Sequence, residues 1–178
     1  MRLGCLVLLI AMPLAALAQS PDPSFGAATF EATMPVALSY ALVLPDGYDE
    51  GGDAWPLVLF LHGSGERGDD LSRVAIHGPL KEVREGRAFP FVLVAPQLPA
   101  DRPRWEAREL GALLDHIEAT HRIDPARVYV TGLSMGGYAT WDLVMPFPDR
   151  FAAAATVCGG GLPFRAPAFA QTPLWAIP

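Results

Sequence analysis

Two short glycine-rich stretches carry residues suited to acyl-transfer chemistry. Gly132-Leu133-Ser134-Met135-Gly136 has the spacing G-x-S-x-G. In that spacing a serine occupies a strained turn between a strand and a helix. Glycine on either side relieves the crowding that bulkier neighbours would cause, and the hydroxyl stands clear of the sheet. A helix that begins directly afterwards aims its free N–H groups and the positive end of its dipole at the site, which favours a developing oxyanion. Ser134 is therefore the candidate nucleophile, and the Met135 N–H a candidate oxyanion donor. Leu61-His62-Gly63-Ser64-Gly65 is the second stretch. In this arrangement the loop after an earlier strand supplies the other donor, with the Ser64 N–H the first candidate and Gly65 the next. His62 is expected to hold that loop rather than to carry protons. Glu66 and Arg67 either line the pocket mouth or form a local ion pair. Trp105 either walls the pocket or packs beneath a helix.

The elements that must position these residues are legible in the hydrophobic pattern. "ALSYALVLPDGY" has strand character and ends in a Pro-Asp-Gly turn. "PLVLFLHG", "FVLVAPQ", "RVYVTGLS", "FAAAATVCGG" and "LWAI" are apolar runs of the kind found in strands buried on both faces. "WEARELGALLDHIEATHR" carries Leu110, Leu113, Leu114 and Ile117 at helical spacing, and "MGGYATWDLVMPF" is the helix expected after the serine. "LSRVAIHGPLKEVREG" is a helical or irregular connection. Strands alternating with helices imply parallel βαβ units in one α/β domain, whose ligands bind at the carboxyl ends of the strands. "LHGSGERG" and "TGLSMGG" both fall there.

Of the 178 residues, 51% are hydrophobic and 18% charged, as suits one globular domain. The net charge of −6 and the scattered arginines give no basic patch for nucleic acid. Residues 1–18 have the form of a secretory signal: Arg2, then "LVLLIAMPLAALA", then an Ala16-Leu17-Ala18 cleavage site. The apolar run is shorter than the roughly 20 residues of a membrane span, so no stable membrane anchor is expected after cleavage. Residues 19–29 read as a flexible lead-in. Cys158 is the one cysteine beyond the signal, so no internal disulfide is expected, and its apolar surroundings predict a buried side chain. "GLSMGG" does not have the G-x-G-x-x-G spacing of a dinucleotide site.

The pieces "LVLFLHGSGERGDD", "HGPL", "FVLVAPQLP", Trp105, "DPARVYVTGLSMGGYATWDL" and "PDRFAAAATVCGGG" resemble, in order, the α/β-hydrolase superfamily. Within it the chain is similar to secreted esterases of the phospholipase/carboxylesterase, feruloyl-esterase and polyhydroxybutyrate-depolymerase-like group, which border on prolyl-oligopeptidase-type peptidases. The resemblance implies a mostly parallel sheet with helices on both faces over residues 30–178. It also implies hydrolysis of small-molecule carboxylic esters through an acyl-enzyme on Ser134, in a periplasmic or extracellular protein, with no metal and no organic cofactor.

The resemblance also implies an acid in the loop after "LWAI" and a histidine further on, in the order Ser, Asp or Glu, His. After Ser134 this sequence holds Asp142 and Asp149 and no histidine, and it ends Trp175-Ala176-Ile177-Pro178. The domain is thus expected to be partial, lacking its last strand and helix. His62, His77, His116 and His121 are not expected to replace the missing base. Loss of a triad member leaves roughly 10³–10⁴-fold catalysis over water, so weak activity is expected of these residues alone. An inert domain that binds an ester or a partner, and a serine peptidase, are the alternative readings.

Overall fold

The computed structural model describes residues 35–162, 164, 167 and 170–178. The expected signal, the lead-in and the first residues of the expected domain lie outside them. Six strands form one sheet: β1 (Tyr40–Val43), β2 (Trp55–Leu61), β3 (Val92–Pro96), β4 (Ile123–Leu133), β5 (Ala153–Val157) and β6 (Leu174–Ile177). Their order across the sheet is β1-β3-β2-β4-β5-β6. The neighbours from β3 to β6 are parallel, and β1 alone pairs antiparallel, with Tyr40 opposite Pro96. This is the mostly parallel α/β sheet expected, with one antiparallel strand at its edge. β1 is half-buried along its whole length, as an edge strand should be, whereas every residue of β3 is buried.

Three helices cover the sheet: α1 (Gly78–Arg84), α2 (Ala107–Thr120) and α3 (Met135–Val144). The connection before α1 is a 3₁₀ turn, Leu71–Ala75, capped by Asp70, whose carboxylate accepts from the Ser72 N–H at 3.1 Å. The sheet has two apolar faces because strand side chains alternate. On one face Leu57, Leu59, Leu61, Val92, Val94, Val128 and Val130 pack against Leu110, Leu114 and Ile117 of α2 and Leu143 and Val144 of α3. On the other, Phe60, Leu93 and Ala95 pack against Val74 and Leu80. Among the described residues that second face is covered at the β3 and β2 side. Over β4, β5 and β6 it opens as a cavity of about 380 Å³ lined by Tyr129, Thr131, Ala153, Ala155, Leu174 and Trp175.

Gly78, at the start of α1, has φ +68, and its Cα lies directly against the Phe60 ring, where a Cβ would collide. The "HGPL" segment can cross the sheet there only as glycine. Among the described residues no helix is long and apolar enough to cross a membrane.

Cys158 corrects an expectation. β5 ends at Val157, and Cys158 turns out of the sheet with φ +53, exposed, its N–H donating to Ile177 O at 2.8 Å. The apolar run predicted a longer strand; the turn into Gly159 ends it.

Leu114 is fully buried between α2 and the sheet. Leu114→Ala is expected to cost about 2–5 kcal/mol, read as a lower urea midpoint at unchanged slope.

Candidate active site

Ser134 lies between the last residue of β4 and the first of α3, exposed, with φ 53 and ψ −112. A non-glycine residue with that φ is uncommon and needs its surroundings to hold it. Here the Ser134 N–H donates to Val157 O at 2.7 Å, and its carbonyl accepts from the Tyr138 N–H at 3.0 Å. The flanking glycines remove what would otherwise block the turn. A Cβ on Gly132 would strike the Gly136 carbonyl. A Cβ on Gly136 would lie 2.8 Å from His62 O and closer still to Leu61 O. A Cβ on Gly137 would lie 2.9 Å from both Gly159 Cα and Val157 O. Met135 is the first residue of α3, so its N–H is among those at a helix start with no partner inside the helix.

The loop after β2 lies beside this turn. A Cβ on Gly63 would stand 3.8 Å from Ser134 Cβ and 3.5 Å from Leu133 O. The loop is held by its carbonyls. Gly63 O meets His62 Nδ1 at 2.6 Å, Ser64 O accepts from Arg67 Nε at 3.1 Å, Gly65 O from Arg73 Nη2 at 2.5 Å and Glu66 O from Gln97 Nε2 at 2.8 Å. In a trans peptide the C=O of one residue and the N–H of the next point to opposite sides. Fixing the carbonyls of Gly63 and Ser64 therefore fixes the directions of the Ser64 and Gly65 N–H groups.

His62 is 1% exposed, and the Leu98 N–H donates to its Nε2 at 3.0 Å. With Nε2 accepting, Nδ1 carries the proton and donates it to Gly63 O, so the ring is neutral with both nitrogens engaged. Burial is the main reason its pKa falls below 6.5, outweighing the Gly63 hydrogen bond and the Glu66 charge, which favour protonation. His62 thus holds the loop and has no lone pair to offer Ser134.

Glu66 is 6% exposed and lies under the loop, away from the cavity wall, with Oε2 at 3.9 Å from His62 Nδ1 and Oε1 at 3.6 Å from His77 Nε2. Of its two expected positions it takes neither: Arg67 reaches Ser64 O and Arg102 O instead. Trp105 is at once a cavity-wall residue and a buried one. It is 4% exposed, packs edge-on to His62 at 4.9 Å, points its indole N–H at His62 O at 3.4 Å, and lines the cavity at Ser134. That cavity, about 340 Å³, is walled by Arg104, Trp105, Ser134, Met135, Tyr138, Ala139 and Asp142. Arg104 and Tyr138 are pocket residues that the motifs did not flag, although Tyr138 stands one helical turn beyond Ser134, on the same side of α3. His116 lies near Tyr40, and His121 near Thr120. Among the described residues no histidine lines the Ser134 cavity, and no cluster could hold a metal ion.

The His62 contacts predict a pH dependence. The folded pKa lies below the unfolded value of 6.5, so the unfolded chain binds the proton first. The stability contributed by the neutral ring is full above 6.5 and declines as the pH falls below it. Asp70 and Asp124 are lowered from 3.8 by hydrogen bonds, chiefly from Ser72 and Arg127, and their contributions are lost only at lower pH. The unfolding free energy should therefore fall as the pH drops below 6.5. His62→Ala, which loses both buried hydrogen bonds, should start roughly 2 kcal/mol or more lower and should show a flatter profile over that range in urea titrations.

Residues 99–160 match the model of the prolyl oligopeptidase family. The chain is 46% identical over 59 residues to a poly(3-hydroxyalkanoate) depolymerase C of Paucimonas lemoignei, covering 33% of this chain and 14% of that protein. It is 30% identical over 115 residues to a putative esterase, NocK, of Nocardia uniformis subsp. tsuyamanensis, covering 58% of this chain and 33% of that one. The chain thus spans a third or less of the length of these curated relatives. The crystal structure of a thermostable esterase superposes with a TM-score of 0.60 at 33% identity, over 78% of this chain and 42% of that one. With its mostly parallel sheet, its serine at a strand-to-helix turn and these similarities, the chain has the α/β-hydrolase fold and is esterase-like.

Proposed function

We propose that the protein is a serine hydrolase acting on small-molecule carboxylic esters through an acyl-enzyme on Ser134. The observation that carries this is the exposed Ser134 at φ 53, on the wall of a cavity and beside a loop whose carbonyls are tied back. In this reading Ser134 Oγ attacks the ester carbonyl and its proton passes to a base, which among the described residues is no histidine of the cavity wall. The Met135 N–H, with that of Ser64 or Gly65, holds the negative oxygen of the tetrahedral intermediate. Collapse expels the alcohol, which takes up the proton, and water then releases the acid from the serine. Trp105 gives the cavity an apolar wall. The reading calls for no metal and no organic cofactor, and the signal-like residues 1–18 support export to the periplasm or beyond.

A second reading, a domain that binds esters without turning them over, is favoured by the lack of a histidine on the cavity wall among the described residues. A third, a peptidase, draws on the prolyl oligopeptidase match.

One experiment separates them. The protein is treated with a fluorophosphonate and weighed intact, then assayed on p-nitrophenyl acetate and on a prolyl p-nitroanilide. The expected result is one adduct on Ser134, with weak ester turnover that Ser134→Ala lowers further. No adduct and no turnover would favour the binding domain. Faster cleavage of the anilide would favour the peptidase.

A further inference from the structure

The run Gly159-Gly160-Gly161 is left unexplained by the nucleophile turn, except for Gly159, which packs against Gly137. The other two glycines face aromatic rings on the same side of α3. A Cβ on Gly160 would stand 3.4 Å from Tyr138 Cε1, and one on Gly161 would stand 2.6 Å from Trp141 Cδ2. The Trp141 indole N–H donates to Gly159 O at 3.3 Å, which fixes that ring over the glycines. Beside these rings and glycines is a cavity of about 430 Å³, walled by Tyr138, Trp141, Asp142, Met145, Gly160, Gly161 and Leu162. Tyr138 and Asp142 also wall the Ser134 cavity, so the two cavities share a boundary on α3.

We infer that this second cavity is a subsite for the aliphatic chain of an ester whose carbonyl sits at Ser134, the chain passing along Tyr138 to lie against Gly160, Met145, Leu162 and the open side of the Trp141 ring. The inference rests on Ser134 being the reacting centre. The wall suits a flexible chain: the Tyr138 and Trp141 rings, the Met145 thioether and Leu162 give dispersion contacts, while the Trp141 ring packs directly on Gly161 and closes that side. The chain can belong to the acyl or to the alcohol portion of the ester.

The test reads binding, so that it does not depend on turnover. In Ser134→Ala, dissociation constants are measured from the quenching of tryptophan fluorescence, since Trp105 and Trp141 stand in the two walls. The ligands are p-nitrophenyl acetate, p-nitrophenyl octanoate, ethyl acetate and octyl acetate. One long-chain ester should bind at least about tenfold more tightly than its short partner, the equivalent of roughly two buried methylenes. A gain in the p-nitrophenyl pair assigns the cavity to the acyl chain, and a gain in the acetate pair assigns it to the alcohol. Adding Gly160→Leu, which fills the cavity from its floor, should erase that gain. If this variant does not fold, Leu162→Trp fills the same space from the exposed loop. The inference is overturned if chain length does not alter affinity, or if filling the cavity weakens long and short esters alike. Failure of the ester-hydrolase reading shows separately, as absence of Ser134-dependent turnover in the parent protein.

Discussion

The start of α3 crosses the end of β2 with no room for a side chain between them, and the site depends on that crossing. Gly136 lies against the carbonyls of Leu61 and His62, Gly132 against Gly136, and Gly137 against Gly159. These contacts are backbone on backbone, so they cannot yield as the tip of a flexible side chain would. They bring the ends of β2, β4 and β5 to one point and leave Ser134 no conformation but the strained one. The strain at φ 53, of order 1–3 kcal/mol, persists because the Val157 carbonyl and the first turn of α3 hold both sides of the serine.

The same crossing sets the electrostatics. His62 O points toward Gly136 and the Trp105 indole, while the His62 ring ties the Gly63 carbonyl to the Leu98 amide. One buried imidazole thus links the end of β2, the loop beside the nucleophile and the segment after β3. Gln97 adds a second tie, its side-chain amide donating to both Glu66 O and Asp70 O at 2.8 Å. A buried polar group left unpaired costs more than a formed bond contributes, so these donors hold the loop in one arrangement.

What the sequence makes legible here is what depends on neighbours along the chain. Apolar runs mark the strands, Leu110, Leu113, Leu114 and Ile117 mark the buried side of α2, and the glycine spacing marks the turn at Ser134. Contacts between distant segments are not legible. That Arg73 reaches Gly65 and Gln97 reaches Glu66 depends on how the loops return, and neither spacing announces it. The antiparallel direction of β1 is likewise set by where the chain enters the sheet, since an edge strand and an inner strand can share one apolar pattern. Glu66 shows the limit most clearly. In sequence it is a charged residue in a glycine-rich loop, the ordinary signature of exposure, yet the fold turns it inward toward His62 and His77.

Glycine carries two different duties in this site, and the difference bears on function. At 132, 136, 137 and 159 it is required because backbone occupies the place of a Cβ. At 160 nothing comparable presses on it: a side chain would meet only the Tyr138 ring, at an ordinary distance. Packing of the fold does not demand glycine there, and a larger residue would fill the space beside the nucleophile's cavity. An unfilled hollow against two aromatic rings forgoes dispersion contacts that a side chain would supply. The hollow costs the fold those contacts and lies directly beyond the Ser134 cavity, where an occupant in contact with the serine would restore them.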